Sequence, residues 1–120
     1  MPKLKLVASP TFQARVGVPV AGGESSPVTM TFKHRTRTAL MEFLTDLQKI
    51  ATAADPESAP DADLSLDRDV DSFMQMVSAW ELEDEFNRDN VRVLLDNYPG
   101  TAVVTYQVYR DELLKAKLGN

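Results

Sequence analysis

The sequence predicts an α+β fold that is mainly helical, with an N-terminal β-hairpin packed on a bundle of about four helices. Two observations carry this. Apolar residues alternate with period two from Phe12 to Phe32, and after Lys33 their spacing changes to i, i+3, i+4, i+7. The chain has 120 residues and no cysteine, which predicts a single domain over 1–120. It divides into a β-rich part over 1–33 and a helical part over 34–120, the latter carrying an exposed, mobile connection over 54–63 that is rich in Pro, Ala and Asp. A chain of this size buries roughly two-thirds of its unfolded surface, enough for one core without covalent or metal staples.

The first strand is read from Phe12, Ala14, Val16, Val18 and Val20, which alternate with Gln13, Arg15, Gly17 and Pro19 and so share one face. Pro19 has no N–H to give a neighbour, which predicts an edge strand or a bulge near its end. Ala21 to Pro27 is a turn-rich loop, after which Val28, Met30 and Phe32 resume the alternation. Two strands around one loop make a hairpin. A lone hairpin is marginal in water, so helices must cover its apolar face. A short extra strand is allowed at Leu4 to Ala8.

The first helix is carried by Leu40, Phe43, Leu44, Leu47, Ile50, Ala51 and Ala54, with Thr36 or Thr38 as its cap. It fails by Asp55-Pro56, because a residue before proline is pushed out of the α region. The second joins Leu66, Val70, Phe73, Met74, Val77 and Trp80 in one stripe, with Asp63 or Ser65 as cap. Asn87 caps a short third helix with Val91, Leu94 and Leu95 inward. Asn97-Tyr98-Pro99-Gly100 breaks it, and Pro99 suits the first turn of a fourth. There Ala102, Tyr106, Tyr109, Leu113 and Ala116 have helical spacing. The β-branched residues of 101–108 leave a strand open on local pattern alone. Helix is favoured because the stripe runs on into Asp111 to Lys117, which is strongly helix-forming.

Chemistry is scarce. Without cysteine there is no disulfide, thiolate metal site or catalytic thiol. The single histidine, His34, is a poor metal ligand alone. Asp67, Asp69 and Asp71 resemble the opening of a calcium loop, but that loop needs Gly and Glu where Ser72 and Ser78 stand. They read instead as first-turn acids favoured by the helix dipole. No serine has the glycine-flanked setting of a hydrolase nucleophile. No catalytic, cofactor or metal site is therefore expected, and the protein reads as a binder rather than an enzyme. No apolar run approaches the ~20 residues of a membrane span. The N-terminal apolar stretch is too short for a secretory signal, which makes the cytoplasm the expected compartment.

The net charge of -5 argues against binding nucleic acid non-specifically. Against that stands the basic cluster Lys33-His34-Arg35-Thr36-Arg37, placed where a helix starts and positive charge is unfavourable. Its compensation comes from the chain's own acids, Glu81 to Glu85 above all, or from an acidic partner or a neighbouring copy. Nucleic acid is the weakest of these readings. Trp80 reads as core, with interface as the alternative. The residues named for partner contact are Lys33, Arg35, Arg37, Trp80, Phe86, Tyr98, Tyr106 and Tyr109.

The stretch Trp80-Glu81-Leu82-Glu83-Asp84-Glu85-Phe86-Asn87-Arg88-Asp89-Asn90-Val91-Arg92-Val93-Leu94-Leu95-Asp96-Asn97-Tyr98-Pro99-Gly100 resembles the tail assembly chaperones of long-tailed bacteriophages and prophages. That family's pattern is an acidic linker, Phe-Asn, Asn-Val, two leucines, and Asn-Tyr-Pro-Gly before a final helix. The last helix and Phe32-Lys33-His34-Arg35-Thr36 are similar too, so the likeness covers most of 28–120. It implies a non-enzymatic protein, made in the host cytoplasm and absent from the finished virion, that binds the tape measure protein and keeps it soluble until tail tube subunits polymerise. It also implies self-association, and a longer form made by a minus-one frameshift near Leu118-Gly119-Asn120 that recruits the tail tube protein. The alternatives are a small nucleic-acid-binding phage regulator using Lys33 to Arg37, and a structural tail-completion or adaptor protein.

Overall fold

The computed structural model describes residue 4, residues 6–53 and residues 62–115. In chain order these form β1 (Thr11–Val18), β2 (Ser26–Lys33), α1 (Arg37–Ala53), α2 (Ala62–Met76), β3 (Val77–Trp80), α3 (Arg88–Asn97) and α4 (Thr101–Leu113). The strands make one antiparallel sheet in the order β1-β2-β3, so the fold is α+β and mainly helical as expected.

The hairpin follows the alternation. Phe12 lies opposite Phe32, Ala14 opposite Met30 and Val16 opposite Val28, so the apolar sets of both strands share the face turned to the helices. β1 is an edge strand, and Pro19 follows its last residue. In the connecting loop the Gly23 N–H donates to the Val20 carbonyl at 3.1 Å, and Gly22 takes a φ of 77°. The described part of the Leu4–Ala8 stretch forms no strand, and Leu4, Leu6 and Val7 are exposed.

The second helix departs from expectation. It stops at Met76, and Val77–Trp80 is a strand added to β2. Val77 pairs with Phe32 and Ala79 with Thr31, which leaves Ser78 as the extra residue of a bulge. A regular strand would put Val77 and Trp80 on opposite faces. The bulge turns both to the core, where Val77 is fully buried and the Trp80 ring meets Phe73 edge-on at 6.4 Å. Two apolar residues three apart, produced by a bulge, have the spacing of a helix stripe. Asp63 and Ser65 fall within the range of α2 rather than before its first residue.

The basic cluster belongs to the end of this helix. Lys33 Nζ donates to the Met74 carbonyl at 2.9 Å, and the Arg35 guanidinium donates to the Gln75 carbonyl at 2.8 Å. The last carbonyls of a helix lack intrahelical partners and carry its negative dipole end, so cations satisfy both needs. The compensation expected from Glu81 to Glu85 comes, for Lys33 and Arg35, from backbone carbonyls instead. Thr36 caps α1, its Oγ1 accepting from the Ala39 N–H at 3.1 Å. The α1 helix ends at Ala53; Asp55-Pro56 and most of the connection lie outside the described residues.

Asn87 caps α3 as expected, accepting from the Asn90 N–H at 2.8 Å. Arg88 and Arg92, one helical turn apart, pair with Asp71 and Asp67 of α2. These aspartates lie in the second and third turns of α2, so they bind the two helices together rather than serving a first turn. The Thr101 N–H donates to the Tyr98 carbonyl at 3.1 Å with Pro99 and Gly100 between them, Gly100 at φ 96°. This is a type II turn, which favours Pro then Gly at its centre. Pro99 therefore precedes α4 instead of opening it. Gly100→Ala is expected to cost about 1–2 kcal/mol, the penalty for a side chain in left-handed backbone, read as a lower urea midpoint at unchanged slope.

The 101–108 stretch is helical, and its inward face is the expected one only in part: Tyr109 is buried as expected, but Thr101 and Thr105 share that face with it. Thr101, Thr105 and Tyr109 are fully buried, while Ala102, Tyr106 and Leu113 are half-buried at the flank. Thr101 Oγ1 donates to the Tyr98 carbonyl at 2.6 Å, whereas Thr105 Oγ1 is buried without a hydrogen-bond partner. Thr105→Val keeps the branched shape and removes the orphaned hydroxyl, so it should stabilise by about 1 kcal/mol, visible as a raised melting temperature.

Candidate functional site

β3 ends at Trp80, and the Glu81 N–H closes the strand on the Thr29 carbonyl at 2.9 Å. The chain then turns sharply enough for Trp80 Nε1 to donate to the Asp84 carbonyl at 2.8 Å. Asn90 Nδ2 donates to the Glu85 carbonyl at 2.7 Å, and Asn87 Nδ2 to a Glu85 carboxylate oxygen at 3.3 Å. Phe86 meets the Trp80 ring edge-on at 5.1 Å. Loop 81–87 is thus held to its neighbours through its carbonyls, and Glu81, Glu83, Asp84 and Glu85 stay exposed.

Between this loop and α3 lies a groove of about 430 Å³ lined by Trp80, Leu82, Asp84, Asn90, Val93, Leu94, Asn97 and Tyr98. A second concavity of about 210 Å³ shares Leu82, Leu94 and Tyr98 with it and is lined as well by Val18, Val20 and Val28 at the end of the hairpin. Leu82, Val93 and Tyr98 are 36%, 56% and 39% exposed. A single exposed apolar side chain is ordinary. Here three converge on one concavity, which makes it the candidate binding surface of the described residues.

The residues named from sequence scatter. Trp80 and Tyr98 line this groove, and Phe86 supports Trp80. Lys33 and Arg35 hold the end of α2. Arg37 borders a separate depression of about 510 Å³ with His34, Leu40 and Leu113. Tyr106 lines a third, of about 180 Å³, and Arg110 lies 5.7 Å from its ring centre. Asp69 also borders this third depression, and burial raises its carboxyl above the ordinary aspartate range. Tyr109 is fully buried: its ring stacks on Phe12 and Phe32, and its hydroxyl donates to the Lys33 carbonyl, so it offers no surface to a partner.

Leu82, Asp84, Asn90, Val93, Leu94 and Asn97 complete the groove and are not among the contact residues the sequence points to. One signal was available. Val93 is apolar but stands off the inward stripe of Val91 and Leu95, as a residue kept for an outside contact would. Among the described residues no three His, Cys, Asp or Glu side chains come together to hold a metal, and no helix is long and apolar enough to cross a membrane.

A family model described as phage tail assembly chaperone matches residues 1–120. No curated protein and no solved structure matches the chain.

Proposed function

The chain belongs to the phage tail assembly chaperone family, and from that premise we propose that it binds the tape measure protein, keeps that long helical rod soluble, and helps bring tail tube subunits to it. The observation that supports this most is the groove beside α3, where Trp80, Leu82, Val93 and Tyr98 present apolar surface in a concavity. A groove of this kind suits the apolar stripe of a helix laid along it. Self-association would place many copies along an extended rod, so that weak single contacts add up through multivalency. The tail tube contact would come from a longer form with a C-terminal extension. Work of this kind is done by binding, without turnover, in the host cytoplasm, and the chaperone leaves before the virion is complete. The nucleic-acid reading is weakened because Lys33 and Arg35 are engaged on the carbonyls of α2.

The test is co-expression with the tape measure protein of the same phage. The large protein should be insoluble alone and soluble in the mixture. Val93→Asp should lose that effect, since it puts a charge into the groove at an exposed position where substitutions shift stability by about 0.5 kcal/mol or less. A tape measure protein that stays insoluble beside the wild-type chain removes the proposal.

A further inference from the structure

The one charged residue lining the groove is an acid, Asp84. Asp84 stands on the loop side among the exposed residues Glu81 and Glu83. On the helix side, Asn90, Val93, Leu94 and Asn97 line the groove. At about 100° per residue, Asp89 and Asp96 fall next to Val93 on the solvent edge of that face, and both are exposed. The cations of α3, Arg88 and Arg92, are paired with Asp71 and Asp67 of α2. Among the described residues, none of Asp84, Asp89 and Asp96 is in a salt bridge. The apolar floor therefore has Asp84 on its loop side and, by helical position, Asp89 and Asp96 beyond Val93 on the other.

We infer that this groove selects an amphipathic helix whose apolar stripe is flanked on both sides by lysine or arginine. The inference rests on the proposed binding of a helical partner and adds the partner's chemistry. Apolar contact supplies area without orientation. Rows of opposite charge fix the register and speed encounter, and they repel helices with acidic flanks. The lining from Asn90 of α3 to Tyr98, which caps its end, spans about 12 Å at the helical rise. That length accommodates roughly two turns of the partner, with anchors at i, i+3 or i+4, and i+7.

Trp80 is the single tryptophan of the chain and lines the groove, so its fluorescence reports occupancy directly. The probes are two synthetic helical peptides with the same leucine stripe, one flanked by lysines and one by glutamates. The lysine peptide should shift Trp80 emission and bind at least about tenfold tighter, with the gap closing as salt shortens the Debye length from about 10 Å to about 3 Å. The triple change Asp84→Asn, Asp89→Asn, Asp96→Asn should lower lysine-peptide affinity several-fold without weakening the glutamate peptide, and Val93→Asp should abolish binding of both. Equal affinity for the two peptides, or no binding of either, overturns the inference. The chaperone reading is scored apart, by solubility of the co-expressed tape measure protein. If the triple variant solubilises that protein as well as wild type does, the charge inference falls and the chaperone reading stands.

Discussion

Tyr109→Ala is expected to cost about 3–5 kcal/mol, the range for deleting a large buried aromatic. That is a large part of the ~5–15 kcal/mol that holds a domain together. The reason lies in what the ring joins. Its face stacks on Phe32 at 5.5 Å and Phe12 at 6.1 Å, so α4 is fixed to the hairpin through it. Phe43 of α1 meets it edge-on at 6.1 Å. The hydroxyl donates to the Lys33 carbonyl at 2.7 Å and accepts from Arg35 at 2.8 Å. The Arg35 guanidinium lies 4.2 Å from the Phe43 ring centre and reaches the Gln75 carbonyl at the end of α2. One side chain thus links β1, β2, α1 and α4 directly, and α2 through Arg35.

Tyr109→Phe separates packing from polarity. It keeps the rings in contact but leaves the Lys33 carbonyl without its donor, for about 1–3 kcal/mol. Urea unfolding of the two variants should therefore show alanine well below phenylalanine, with both below wild type. A phenylalanine variant as unstable as the alanine one would mean that the hydroxyl, rather than the stacked rings, carries the joint.

This joint shows which parts of the fold are legible in a sequence. The hairpin is, because burial on one face of a sheet imposes period two, and Phe12 to Phe32 obeys it. The caps Thr36 and Asn87 are legible because they act within three residues. The end of α2 is not, because the bulge at Ser78 sets Val77 and Trp80 on one face at a helix-like spacing of three. The inward face of α4 is hidden for another reason: two of its three buried residues are threonines, which a search for apolar spacing passes over. The roles of Lys33 and Arg35 depend on carbonyls some forty residues away, and no local pattern shows such a pairing. The groove is the least legible part. Its lining comes from β3, the acidic loop and α3 together, and of these only Val93 is out of place in its own stripe.

Trp80 is where fold and groove meet, and Trp80→Ala should damage both. Its ring fills the space between Phe73 of α2 and Phe86 of the loop, at 6.4 Å and 5.1 Å. Its N–H holds the Asp84 carbonyl, and with it the shape of the acidic loop. Full burial would put the cost at about 3–5 kcal/mol, and a half-buried ring lowers it to about 2–3 kcal/mol. Trp80→Phe restores much of the packing but leaves the Asp84 carbonyl without a donor, so stability should return further than binding does. Val93→Asp is the opposite case, sparing the fold while charging the groove. Melting temperature and peptide affinity measured on all three variants should give different orders: Trp80→Ala lowest in stability, Val93→Asp lowest in affinity, and Trp80→Phe intermediate in both. If affinity merely followed stability across the three, the groove would have no role beyond folding, and the partner would have to dock elsewhere.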